Sequence, residues 1–123
     1  MGIRLGIIGS RGGYFNNPEE AKRRMFLILS KYVIEHIVSG ACPAGGIDSF
    51  SIEYAKLKGI PYTEYAPADS SSDEFRKRNQ LIVDNCDGLI VFLTKRYGLT
   101  TGSKMTTNMA IAKGIPIKIY FVE

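Results

Sequence analysis

A chain of 123 residues, 45 % apolar and 23 % charged, has the composition of one soluble globular domain, 1–123, large enough for a core without staples. A lone histidine, His36, and two distant cysteines, Cys42 and Cys86, exclude a zinc site or a histidine-based triad, and no apolar run reaches the roughly 20 residues of a membrane span. The net charge of +4 favours anionic partners, and free thiols without a cleavable-signal pattern point to the cytoplasm, with no membrane partner, no metal and no cofactor expected.

In chain order, Ile3 to Ile8 is an apolar run closed by Gly9, which reads as a buried parallel strand. Asn17-Pro18-Glu19-Glu20 opens a helix with a cap, a first-turn proline and acids, and Met25, Ile28, Leu29 and Tyr32 follow at helical spacing. A short strand near Glu35 to Val38 ends at Ser39-Gly40. A second helix follows Ala44-Gly45-Gly46-Ile47-Asp48, with Phe50, Tyr54 and Leu57 on one face and Gly59 as its stop. Pro61 to Tyr65 is a third strand. The Ser/Asp-rich loop from Ala66 to Asp73 supplies caps for a helix from about Glu74 to Asn85.

Gly88 to Leu93, apolar on both faces, is a strand expected at the centre of the sheet. A loop from Thr94 to Gly102 precedes a helix ending near Lys113-Gly114, and Pro116 to Val122 is the last strand. Strands alternating with helices at this spacing predict an α/β three-layer sandwich with a mainly parallel five-stranded sheet. Strand order is not readable from local pattern.

In such a sheet the loops at the carboxyl ends of the strands meet in one crevice, where ligands bind. Here Gly9-Ser10-Arg11-Gly12-Gly13, Ser39-Gly40-Ala41 and Thr100-Thr101-Gly102-Ser103 carry glycines together with arginine or hydroxyl side chains, and the Arg78-Asn79 segment with its flanking helix is expected beside them. Glycines let backbone amides approach an anion, a helix start adds partial positive charge, and a guanidinium suits bidentate phosphate contact. A phosphate-bearing ligand is the expectation. Tyr14 and Phe15 either stack on its base or pack under the loop.

The first turn, Gly6-x-x-Gly9-x-x-Gly12, is not the dinucleotide fingerprint, and Ser39-Gly40 stand where a ribose-binding acid would be. No glycine loop is followed by a Walker lysine. Both departures argue against NAD-dependent redox chemistry and P-loop hydrolysis. Three basic clusters, Lys22-Arg23-Arg24, Arg76-Lys77-Arg78 and Lys95-Arg96, are either solvated faces or anion contacts.

The segment Ser39-Gly40-Ala41-Cys42-Pro43-Ala44-Gly45-Gly46-Ile47-Asp48, running on to Ala55, resembles the S-G-G-A-x-G-x-D-x-x-A-x-x-x-A stretch of the SMF/DprA–LOG (SLOG) superfamily, especially its small stand-alone YpsA-related members. Gly9-Ser10-Arg11, Arg78-Asn79-Gln80-Leu81-Ile82 leading to Asp87, and Gly102-Ser103 with Ala110 and Gly114-Ile115-Pro116 match further family segments in the same order. The resemblance spans essentially the whole chain. It implies a Rossmann-like fold that binds a nucleotide or nucleotide-derived small molecule. The pocket would be lined by Gly9, Ser10, Arg11, Gly40, Ala41, Gly45, Asp48, Arg78, Asn79, Thr101, Gly102 and Ser103, with Gly102-Ser103 holding phosphate.

LOG members that cleave the base from a nucleoside 5′-monophosphate carry P-G-G-x-G-T followed closely by glutamate. This chain has Lys104, Met105 and Thr106 where those acids belong. The expectation is therefore a non-catalytic sensor or sequestering protein. The alternative is a nucleotide N-glycoside hydrolase in which Arg78 is the catalytic arginine and the acid comes from Asp48, Glu53 or Asp87. A second alternative, from the DprA kinship and net charge, is binding of single-stranded nucleic acid. A weaker similarity to nucleoside deoxyribosyltransferases lacks their nucleophilic glutamate, Asn108 preceding Ala110 instead. Self-association into a homo-oligomer is left open.

Overall fold

A computed structural model describes residues 2–123. The elements are β1 (Ile3–Gly9), α1 (Pro18–Leu29), β2 (Ile34–Gly40), α2 (Ile47–Lys58), β3 (Tyr62–Tyr65), α3 (Ser72–Asp84), β4 (Gly88–Leu93), α4 (Thr101–Lys113) and β5 (Ile117–Phe121). All neighbouring strands run parallel, in the order β3-β2-β1-β4-β5. This is a Rossmann-like α/β sandwich, and the expected mainly parallel sheet is wholly parallel.

Local chemistry sets the helix limits. Asn17 accepts from the Glu20 amide and Pro18 takes the first helical position of α1. Ser71 caps α3 and Thr100 caps α4, while Gly59 and Gly114, both left-handed, stop α2 and α4. One face of the sheet is covered by α1 and α2, whose Met25, Leu29, Ile47, Phe50 and Tyr54 pack on Leu5, Ile7 and Ile37. The other is covered by α3 and α4, whose Ile82, Val83 and Ala110 pack on Ile8, Val38, Leu89 and Val91.

Three expectations are corrected. The centre of the sheet is β1; β4, fully buried along its length, lies between β1 and the edge strand β5. Apolar residues on both faces report cover by two helical layers, which β1 and β4 share, and so cannot rank them. Tyr32 lies beyond the end of α1, where its hydroxyl meets that of Tyr120 at 2.7 Å. Leu57 is 67 % exposed, so the inner face of α2 runs through Ile47, Phe50, Ser51, Tyr54 and Ala55 instead.

The chain leaves β1 for β2 on one side, and β4 returns to pair with β1 on the other. Helices therefore diverge from the carboxyl ends of β1 and β4, and the crevice between them is the switch point where open α/β sheets bind ligands.

Candidate functional site

At this crevice a cleft of about 600 Å³ opens. The end of β1 contributes Gly9, Ser10 and Arg11, the approach to α2 gives Gly45 and Asp48, α3 gives Arg78 and Asn79, and the first turn of α4 gives Thr101, Gly102 and Ser103. Gly40 and Ala41 lie elsewhere. They line an adjoining hollow of about 310 Å³ with Glu53 and Glu64, and Cys42 and Asp48 border both spaces. Sequence reasoning did not mark Ser70, Ser72, Asp73 and Phe75, which bring the start of α3 into the cleft wall, nor the place of Cys42 in that wall. The helix-capping serines were the available signal, since a cap marks a helix start and helix starts crowd this edge.

Ser10 ties three elements together. Its amide donates to the Phe92 carbonyl at 3.0 Å, its carbonyl accepts from the Ile47 amide at 3.1 Å, and its hydroxyl accepts from the Thr94 amide at 3.2 Å. Gly46 makes that approach feasible: its φ is +78°, and a Cβ there would collide with the Ser10 carbonyl. Arg11 stands exposed at the rim.

Arg78 is the centre of the charged wall. Its side chain is nine-tenths buried, its Nε donates to Asn79 Oδ1 at 2.8 Å, and its Cζ lies 5.3 Å from the Phe75 ring centroid. Nη1 stands 3.7 Å from Asp48 Oδ2, an ion-pair distance beyond hydrogen-bond range. Among the described residues, Arg78 Nη1 and Thr94 Oγ1 are the buried side-chain polar atoms without a hydrogen-bond partner. A Cβ on Gly40 would fall on Arg78 Nη1, so glycine at that position gives the guanidinium its berth.

Asp48 accepts the Cys42 amide on Oδ2 at 3.1 Å. Burial pushes its carboxyl up to about 6, against the opposing pull of the Arg78 charge. On α4, the Thr100 hydroxyl accepts from the Ser103 amide at 3.4 Å, and the Lys104 amide bonds to the Thr100 carbonyl at 2.9 Å. The amides of Thr101 and Gly102, which precede any intrahelical acceptor, remain for a ligand.

The sequence matches no protein-family model and no curated protein.

The three acids considered for catalysis separate clearly. Asp87 sits at the opposite, amino edge of the sheet, where it accepts from the Arg4 amide at 3.0 Å; it is excluded from the cleft. Glu53 faces the second hollow and pairs with Lys22 at 3.5 Å. Asp48 alone of the three lines the cleft, together with Asp73, which pairs with Arg76 at 3.0 Å. Of Lys104, Met105 and Thr106, the last two line the cleft, while Lys104 is exposed and lies outside its lining. The Thr106 hydroxyl donates to the Gly102 carbonyl at 3.0 Å.

The two aromatic candidates also divide. Phe15 is buried against Phe50, with ring centroids 5.8 Å apart. Tyr14 lines the cleft and stacks on Tyr97, with centroids 4.2 Å apart and planes 20° from parallel, which ties the loop after β1 to the loop after β4. Among the described residues no group of three or more His, Cys, Asp or Glu side chains could hold a metal, and no helix is long and apolar enough to cross a membrane.

Proposed function

We propose that this chain is a SLOG-type domain that binds a nucleotide or nucleotide-derived phosphate ligand in the cleft between β1 and β4, as a sensor or sequestering protein without a catalytic step. The observation that carries this reading is Arg78, a residue of the cleft wall whose buried Nη1 has no hydrogen-bond acceptor, together with the unclaimed amides at the start of α4 that line the same cleft. A buried donor left unpaired costs about 1–3 kcal/mol, more when charged, and a phosphate oxygen supplies the missing acceptor. The ring of Tyr14 offers a planar base a face or edge at the rim.

Mass spectrometry of small molecules released from purified protein, followed by calorimetric titration of the 5′-nucleotides found, tests the reading. Arg78→Ala removes a charge-assisted contact of about 1.5–3 kcal/mol, so affinity should fall roughly ten- to a hundredfold with the fold intact. Identical titration curves for wild type and Arg78→Ala would sink the site assignment.

One observation favours the hydrolase as second reading: Asp48, a carboxyl raised to about 6, borders the cleft within 3.7 Å of Arg78, and perturbed acids cluster at catalytic sites. Against it, Met105 and Thr106 replace the acids that would stabilise a cationic sugar. The non-catalytic reading expects no base release when nucleoside 5′-monophosphates are incubated with the protein and the products separated by chromatography. Steady release that Asp48→Asn abolishes would establish the hydrolase instead.

A further inference from the structure

Asp48 is the hinge between the two hollows, and each of its oxygens is placed differently. Oδ2 holds the Cys42 amide and faces Arg78 Nη1 without bonding to it. Oδ1 stands 3.5 Å from Ser39 Oγ, whose single proton has a closer acceptor in the Ile7 carbonyl at 3.0 Å. A hydroxyl that donates to Ile7 turns a lone pair towards Oδ1. The geometry is thus ready for a proton on Asp48: the neutral acid donates to Ser39, and Ser39 continues to donate to Ile7.

The charges around Asp48 define what happens when an anion arrives. Arg78 on α3 is the cation that faces it. Glu64 on β3 repels it, and Glu53 and Lys56 of its own helix line the second hollow. At the cleft, Asp73 and Arg76 pair with each other, while Arg11 stands at the rim. The carboxylate of Asp48 is therefore the charge that balances Arg78 while the cleft is empty, and a phosphate in the cleft would compete with it for the same guanidinium. A buried carboxylate left beside a bound dianion is disfavoured twice, by desolvation and by like charge.

We propose that anion binding here is a proton-coupled exchange in which a doubly charged phosphate replaces the Asp48 carboxylate as the partner of Arg78, and Asp48 takes up one proton from solvent. No bond other than this O–H is made or broken. The inference rests on the cleft being the phosphate site proposed above, and it adds a regulation to it: affinity is set by pH through a residue of the protein. The sign follows from linkage. Burial already raises the Asp48 carboxyl to about 6 in the free protein, and binding raises it further, so proton uptake begins above that pH. Affinity should fall as pH rises from 6 to 8, by up to about tenfold per pH unit.

Calorimetric titration with adenosine 5′-monophosphate and with inorganic sulfate, each in two buffers of different ionisation enthalpy at pH 7.5, counts the protons. Sulfate has no proton to gain near neutral pH, so uptake of about one proton per sulfate belongs to the protein. In Asp48→Asn the uptake should vanish, and binding at pH 8 should be roughly ten- to a hundredfold tighter than in the wild type. Sulfate binding without proton uptake by the wild type overturns the exchange while leaving the phosphate site standing. Uptake that persists in Asp48→Asn also overturns it. No binding of either probe removes the site, and this inference with it.

Discussion

Gly40 and Arg78 act as a pair, one residue supplying the space that the other fills. Because a Cβ at Gly40 would occupy the position of Arg78 Nη1, Gly40→Ala should push the guanidinium out of its berth and weaken nucleotide binding by at least roughly tenfold, without loss of helical circular dichroism. Unaltered affinity in Gly40→Ala would show that the guanidinium position is irrelevant to the ligand. Asp48 makes a second prediction, about stability. Its folded carboxyl titrates at about 6 against an ordinary 3.8, so between these values the folded chain holds the proton more tightly than the unfolded chain. Stability therefore falls as pH rises from about 4 to about 6, by on the order of 3 kcal/mol from this one group. Glu20 has the opposite sign, its carboxyl held down to about 2 by Arg23 and Arg24, but it contributes equally to wild type and variant. Asp48→Asn should be more stable than wild type in urea at pH 7.5, with the advantage lost by pH 3.5. An advantage that stays the same at both pH values would contradict the assignment.

At the scale of whole elements, two of the basic clusters prove to be paired within their helices, apart from Arg78 in the cleft wall and Lys22, which also reaches Glu53. On α1, Lys22 pairs with Glu19 and Glu53, and Arg23 and Arg24 share Glu20. On α3, Arg76 meets Asp73 and Lys77 meets Glu74, each one turn away. Such pairs hold a helix together by a few tenths of a kcal/mol each, and they leave little unopposed charge for a polyanion. Single-stranded oligonucleotides should therefore bind weakly, with a log–log salt slope no steeper than about −1.4, two contacts' worth. Tight binding with a slope of several units in a filter or anisotropy assay would favour the nucleic-acid reading. The elements themselves were legible because their ends carry their own chemistry: Asn17 before Pro18, the Ser/Asp-rich loop before α3, where the cap is Ser71 and the helix starts two residues earlier than expected, and Gly59 and Gly114 in left-handed stops. The inner face of α2 was not. Leu57 falls on the same helical stripe as Phe50, but α2 packs on β1, β2 and α1, and its last turn runs past them.

For the molecule as a whole, the order of strands was the missing piece, since it depends on pairings between segments far apart in sequence. Once β1 lies between β2 and β4, four separate loops come to one edge, and most residues marked from the sequence surround one cleft. Gly40 and Ala41 fell on the far side of Arg78 because a long side chain reaching across a strand end divides the space, and no local pattern reports where such a side chain points. Asp87 precedes β4 rather than following it, which places it at the amino edge. A different consequence comes from the Tyr14–Tyr97 stack, which sets Tyr97 against a residue of the cleft wall in a chain with seven tyrosines and no tryptophan. Tyr97→Trp keeps a flat ring against Tyr14 and installs the single indole of the protein one ring away from the cleft. Its emission maximum and quenching should change when a nucleotide is added, and a spectrum indifferent to saturating ligand would mean that the stack does not sense occupancy. The native stack thus gives the molecule a ready position for an optical probe, by which occupants could be screened before any of them has been named.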